Sequence, residues 1–165
     1  MAAFSEVYKE YAKSVYRFLL ALSGEESMAE ELLQETFYQA FLHIDQFEGR
    51  SSLYTWLCQI GKNAWLKECR RSNRYTETSL ENLTMASREP PPEEQYLKKE
   101  EYLRVRRAIL KLEEPYKNVM ILHAYGEVKL KEIANMYGKT ESWARVTYYR
   151  ARQQIVEEVS DEKGK

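Results

Sequence analysis

A chain of 165 residues, 44% hydrophobic and 31% charged with six glycines and four prolines, has room for one domain or two small ones; this composition excludes a collagenous or wholly disordered polypeptide. The 25 Lys and Arg nearly balance the 26 Asp and Glu, for a formal net charge of −1, so any contact with a polyanion must come from local patches. Cys58 and Cys69 stand eleven residues apart on an expected helix, about three turns or roughly 16 Å, which excludes a disulfide between them and fits core thiols in a reducing compartment.

Residues 4–22 place Phe4, Val7, Tyr8, Tyr11, Val15, Phe18, Leu19 and Leu22 on one face and Glu6, Lys9, Glu10, Lys13 and Arg17 outside, an amphipathic helix that Gly24 breaks. Ser27 with Glu30 three residues on predicts a capping box for a second helix. That helix buries Leu32, Leu33, Phe37, Ala40, Phe41 and Ile44 and turns Glu31, Gln34, Glu35, Tyr38 and Gln39 outward. A loop from Phe47 to Ser51 follows, and Ser51 or Ser52 caps a third helix from Leu53 to about Ser72. The third helix changes character along its length. LYTWLCQIGKNAW is apolar and aromatic, whereas LKECRRSNR is basic. Trp56, Leu57 and Ile60 read as core, because a small domain needs bulky residues to close its interior. Tyr54, Lys62 and Asn63 read as functional, since aromatics interleaved with cations suit single-stranded nucleic acid.

From Tyr75 to Glu94 helical periodicity disappears and Pro90-Pro91-Pro92 forces extended backbone, so this acidic stretch reads as an interdomain linker. Helical pattern resumes at about Glu94 with Leu97, Tyr102, Val105, Ala108, Ile109 and Leu112. After Glu113-Glu114-Pro115 a further helix runs from Tyr116 to Ala124, ended by Gly126, and the tail from Asp161 to Lys165 reads as frayed.

Between Lys129 and Arg152 the pattern is a helix-turn-helix. Leu130, Ile133, Ala134 and Tyr137 share one face, Gly138 supplies the left-handed residue after the last turn, and Thr140 is the N-cap of the second helix. Arg145, Arg150 and Arg152 with Thr147, Tyr148 and Tyr149 between them give that helix the make-up of a DNA-reading element. The basic run Lys62, Lys67, Arg70, Arg71 and Arg74 forms a second patch. Two basic patches joined by an acidic connector predict two separate contacts with a polyanion.

These segments together resemble a bacterial sigma factor of the extracytoplasmic-function (ECF, group IV) class. The stretch AEELLQETFYQAFLHIDQFEGRSSLYTWLCQIGKNAWLKECRR is similar to region 2 of that family, and Ala108 to Ile155, including Tyr149 to Arg152, is similar to region 4. The resemblance implies an all-α chain of two small domains: region 2 over residues 1–74, a flexible linker over 75–94 and region 4 over 95–160. It implies docking of Glu31, Gln34, Glu35 and Tyr38 on the β′ coiled coil of core RNA polymerase, with the β flap as a further polymerase contact. Gly49, Arg50, Ser51, Ser52, Tyr54 and Asn63 would take a base of the melted −10 strand, and Lys62, Lys67, Arg70, Arg71 and Arg74 would hold its phosphates. Extruding a base costs a few kcal/mol, so such a loop must offer hydrogen bonds and shape. Arg50 stands where the family commonly has an acidic or small residue. The −35 duplex would be read by Thr140, Trp143, Arg145, Thr147, Tyr148, Arg150 and Arg152. Trp143 and Tyr148 are also open to packing into their own domain.

The implied protein is an initiation factor and not an enzyme, with promoter DNA, core polymerase and an anti-sigma factor as partners. No cofactor or metal is expected. Glu30, Glu31, Glu35 and Asp45 are abundant carboxylates, but a di-metal bundle needs Glu-x-x-His pairs, and Ala40 and Met120 precede His43 and His123 by three. A stand-alone helix-turn-helix regulator is the alternative; it would bind palindromic duplex without polymerase. The chain carries no apolar run of membrane-spanning length and no signal-peptide pattern at its N-terminus, so cytoplasmic localisation without membrane insertion is expected.

Overall fold

Val15, Phe18, Leu19 and Leu22, the inward face of the first amphipathic pattern, are almost completely buried. They belong to α1 (Ala2–Ser23), which packs with α2 (Glu26–His43) and α3 (Leu53–Ser79) as a three-helix unit. The structure, a computed structural model, describes residues 2–79 and 93–164, with side chains over 3–72 and 97–164. The central part of the expected linker lies outside the described residues. The second unit comprises α4 (Glu93–Lys111), α5 (Tyr116–Met120) continued by a π-helical turn (Ile121–Tyr125), α6 (Leu130–Met136) and α7 (Glu141–Lys163). Among the described residues all regular structure is helical.

The close approach of α3 to the other two N-terminal helices depends on Gly61. A Cβ there would lie 3.1 Å from Leu19 Cδ2 and 3.2 Å from Thr36 Oγ1. Thr36 is itself buried, its hydroxyl donating to Leu32 O at 2.6 Å. The corner between α1 and α2 differs from expectation. α2 begins at Glu26, after an extended Glu25 that makes no side-chain cap, so Ser27 is not the N-cap. Gly24, at φ +74°, makes the turn, with the Ser23 hydroxyl donating to Glu25 O. At α3 the expected capping holds: Ser52 Oγ accepts from Thr55 N at 3.1 Å. α3 then continues to Ser79, past the expected end near Ser72. No glycine or proline stands between Ser72 and Ser79 to stop it.

In the C-terminal unit α7 packs on α4, α5 and α6. It continues to Lys163, through the tail expected to fray, with Arg107 paired to Glu162 at 2.9 Å and Lys111 paired to Glu158. Gly126 ends the π-helical turn by its lack of a side chain, since a Cβ would meet Leu122 O at 2.7 Å. The left-handed residue at this corner is its neighbour Glu127, at φ +56°.

The two units pack against each other. One continuous cluster of buried side chains joins Phe18, Leu57 and Cys58 to Ile121, Leu122, Val128 and Ile133. Both cysteines are buried free thiols, and burial pushes the Cys58 thiol up to about 12.

Candidate nucleic-acid interface

α2 buries Ala29, Leu32, Thr36, Phe37 and Ala40, and this periodicity turns Glu31, Gln34, Glu35 and Tyr38 together to solvent. Tyr38 is 59% exposed, a large ring turned outward from the helix. Gln39 Nε2 donates to Glu35 Oε1 at 2.8 Å, fixing one carboxylate. Behind this face, between α2 and α3, runs a groove of about 790 Å³. Its α2 wall carries Glu31 and Glu35, and its α3 wall carries Asn63, Lys67, Glu68 and Arg71, with Arg71 paired to Glu68 at 3.5 Å.

A second hollow, of about 460 Å³, opens between the loop before α3 and α3 itself. Phe47, Arg50, Ser51, Trp56, Lys62 and Asn63 line it, so four of the sequence-predicted residues meet there. The Phe47 and Trp56 rings, 5.4 Å apart, form an aromatic wall, which places Trp56 at the hollow's edge as well as against the core. Gly49, at φ +75°, makes the bend, and Arg50 is drawn back onto Glu48 at 3.0 Å. Asn63, Lys67, Arg70 and Arg71 are exposed along one side of α3 at helical spacing. The side chain of Arg74 lies outside the described residues.

Three predicted residues are held by the C-terminal unit. Tyr54 turns away from the hollow and donates its hydroxyl to Gly126 O at 2.8 Å. Burial, with Cys58 beside it, raises its phenol pKa and so keeps the donor protonated. Ser52 N donates to Glu132 Oε1 at 2.8 Å. Lys62 is only 7% exposed, and its Nζ donates to Asn118 Oδ1 at 2.7 Å. Burial lowers the Lys62 pKa against the opposing pull of Glu114.

The helix-turn-helix forms as its sequence pattern predicts. Ile133 and Ala134 are buried, Gly138 has φ +65°, and the Thr140 hydroxyl accepts from Trp143 N at 3.1 Å. On α7 the buried positions are Ala144, Thr147 and Ala151. Thr147 is 5% exposed and therefore cannot meet a base edge. Tyr148 turns inward, edge-on to the His123 ring at 4.6 Å, and Trp143 leans on Tyr137 at 5.2 Å. Arg145, Arg150 and Arg152 are exposed, Arg145 pairing with Glu141 at 3.2 Å. The outer face also carries Tyr149 and three residues that composition alone does not single out, Ser142, Val146 and Gln153, with Tyr149 Oη accepting from Gln153 Nε2 at 3.1 Å. The period marks this face. Once Ala144, Thr147, Tyr148 and Ala151 face inward, residues 142, 145, 146, 149 and 153 must face out.

Comparison with known proteins agrees with this division. Residues 7–75 match the family model for Sigma-70 region 2, and residues 102–155 match that for Sigma-70, region 4. The ECF RNA polymerase sigma factor SigM of Bacillus subtilis is 28% identical over 153 residues, covering 91% of each chain. The RNA polymerase sigma factor YlaC of the same organism is 31% identical over 156 residues, covering 91% of this chain and 88% of that one. This chain is a sigma factor of the extracytoplasmic-function class. Two solved structures share its fold across both units. The sigma factor RpoE of Bartonella quintana, in complex with the anti-sigma factor NepR, aligns at a TM-score of 0.57 and 20% identity over 97% of this chain and 98% of that one. CnrH, in complex with the cytosolic domain of CnrY, aligns at 0.55 and 19% over 97% and 89%. The N-terminal unit of this sigma factor therefore carries the region 2 match and the C-terminal unit the region 4 match. Among its described residues no helix is long and apolar enough to cross a membrane.

Proposed function

We propose that this sigma factor, acting in the cytoplasm, directs core RNA polymerase to promoters by two separate DNA contacts. α7 reads the −35 duplex, while α3 and the loop before it hold the melted −10 strand. The observation that carries this reading is the pairing of two chemically different surfaces in one chain. One is an exposed helix face with arginines at its margins, suited to a major groove. The other is an aromatic-walled hollow leading to exposed Asn63, Lys67, Arg70 and Arg71, suited to a flipped base and its backbone. The face of Glu31, Gln34, Glu35 and Tyr38 docks the basic helical partner on polymerase. With polymerase holding both units, two weak contacts combine through effective concentration.

The factor itself breaks and makes no covalent bond. One fold relative is seen with an anti-sigma factor, and a partner of that kind restrains this chain by covering the same faces. Run-off transcription with bacterial core polymerase on a promoter pool tests the proposal. A transcript that depends on the protein and starts at a defined site supports it. Palindromic duplex binding without any effect on polymerase would replace it with a stand-alone regulator.

A further inference from the structure

In a helix-turn-helix the first turns of the second helix face the base edges. In this chain those turns lie just after the Gly138 bend and the Thr140 cap. At 3.6 residues per turn, Ser142, Val146, Tyr149 and Gln153 form one stripe along α7, opposite the buried Ala144, Thr147 and Ala151. The same spacing sets Arg145 and Arg152 on one margin of the stripe and Arg150 on the other.

The stripe has little with which to choose a base by hydrogen bonding. Val146 is 47% exposed and has neither donor nor acceptor. The Tyr149 ring is 59% exposed, and its hydroxyl accepts from Gln153 Nε2 at 3.1 Å, which occupies the amide beside it. Ser142 carries a hydroxyl, which pairs with donors and acceptors alike and so selects no base by itself. Arg145, in the first turns, is drawn back along the helix by Glu141 at 3.2 Å. What the stripe does present is apolar surface. The major groove offers one apolar feature that differs between base pairs, the C5 methyl group of thymine.

We propose that α7 selects its duplex by thymine methyl groups: Val146 and the Tyr149 ring each cover a C5 methyl in the major groove, and the arginines at the margins hold phosphates without choosing a base. This rests on the assignment of α7 to the −35 duplex. Residues three apart on a helix stand roughly 5–6 Å from each other, so the two side chains reach methyls on base pairs one or two steps apart, at about 3.4 Å per step. A guanine·cytosine pair at either place would set the cytosine N4 amino group against an apolar side chain, a donor taken from water without an acceptor.

The test uses holoenzyme formed from the full chain and core polymerase, on the promoter fragment that the run-off assay selects. Each thymine of its −35 element is replaced in turn by 2′-deoxyuridine, which keeps the base pair and removes only the C5 methyl. At one or two positions this exchange should weaken binding about fourfold, the worth of one buried methyl group. In Val146→Ala the penalty at one of these positions should shrink to less than about twofold, the mark of a direct coupling. At the other it should disappear in Tyr149→Ala and persist in Tyr149→Phe, which keeps the ring. Both side chains are exposed, so these exchanges leave the core intact. Absence of any deoxyuridine effect would overturn the proposal, and so would penalties that stay at full size in both alanine variants. Arg150→Ala and Arg152→Ala report separately on the underlying assignment. If they leave protection of the −35 element and its salt dependence unchanged, α7 does not hold this duplex and the proposal falls with that assignment. If they weaken protection while deoxyuridine has no effect, the assignment stands and the methyl reading alone is refuted.

Discussion

Gly61→Ala is expected to destabilise this protein although it sits inside a helix. In an exposed helix interior the exchange gains about 1 kcal/mol, because glycine surrenders more backbone freedom than alanine on folding. Here the new methyl would stand 3.1 Å from Leu19 Cδ2 and 3.2 Å from Thr36 Oγ1. Ordinary contact needs several tenths of an ångström more. Neither neighbour can yield freely: both are fully buried, and Thr36 Oγ1 is tied to Leu32 O. Relief must come from moving α3 outward, and overpacking of this kind costs about 1–3 kcal/mol. Set against the helical gain, the net loss is about 0–2 kcal/mol, a fall in Tm of up to roughly 8 °C for a chain of this size. Gly61→Ser adds an oxygen at the same place and should be worse. The assay is thermal unfolding followed by circular dichroism. A rise in Tm for Gly61→Ala would refute the view that the approach of α3 to α1 and α2 depends on a missing side chain.

Two further outcomes test the DNA surfaces. Tyr149→Ala or Val146→Ala should weaken −35 duplex binding by the holoenzyme about tenfold, ~1.4 kcal/mol; the buried Thr147→Val should leave it within about twofold, as measured by footprinting titrations. Lys67→Ala and Arg71→Ala should each lower the salt dependence of promoter binding, reducing the slope of log K against log salt by about one for each phosphate no longer neutralised.

What can be read from the residues divides by range. Local patterns suffice for the helices: the inward faces of α1 and α2, the Ser52 cap and the Gly138–Thr140 turn all form as their spacing predicts. They mislead at the Ser27 cap, where the positive φ of Gly24 turns the chain early and the N-cap position falls two residues sooner, at Glu25. They mislead again at Thr147, where a hydroxyl between arginines suggests a base contact although its position relative to Ala144 and Ala151 places it inside. The relation between the two units is not legible at all. Lys62 meets Asn118, Tyr54 meets Gly126 and Ser52 meets Glu132 across separations of 56, 72 and 80 residues, far beyond any helical period. Each N-terminal partner has the chemistry of a DNA ligand and reads as one. In this structure the C-terminal unit uses that same chemistry, meeting cation, hydroxyl and backbone N–H with an amide oxygen, a carbonyl and a carboxylate. A surface made to hold a nucleic-acid strand is equally able to hold an acceptor-rich protein segment, so composition alone cannot separate the two occupants.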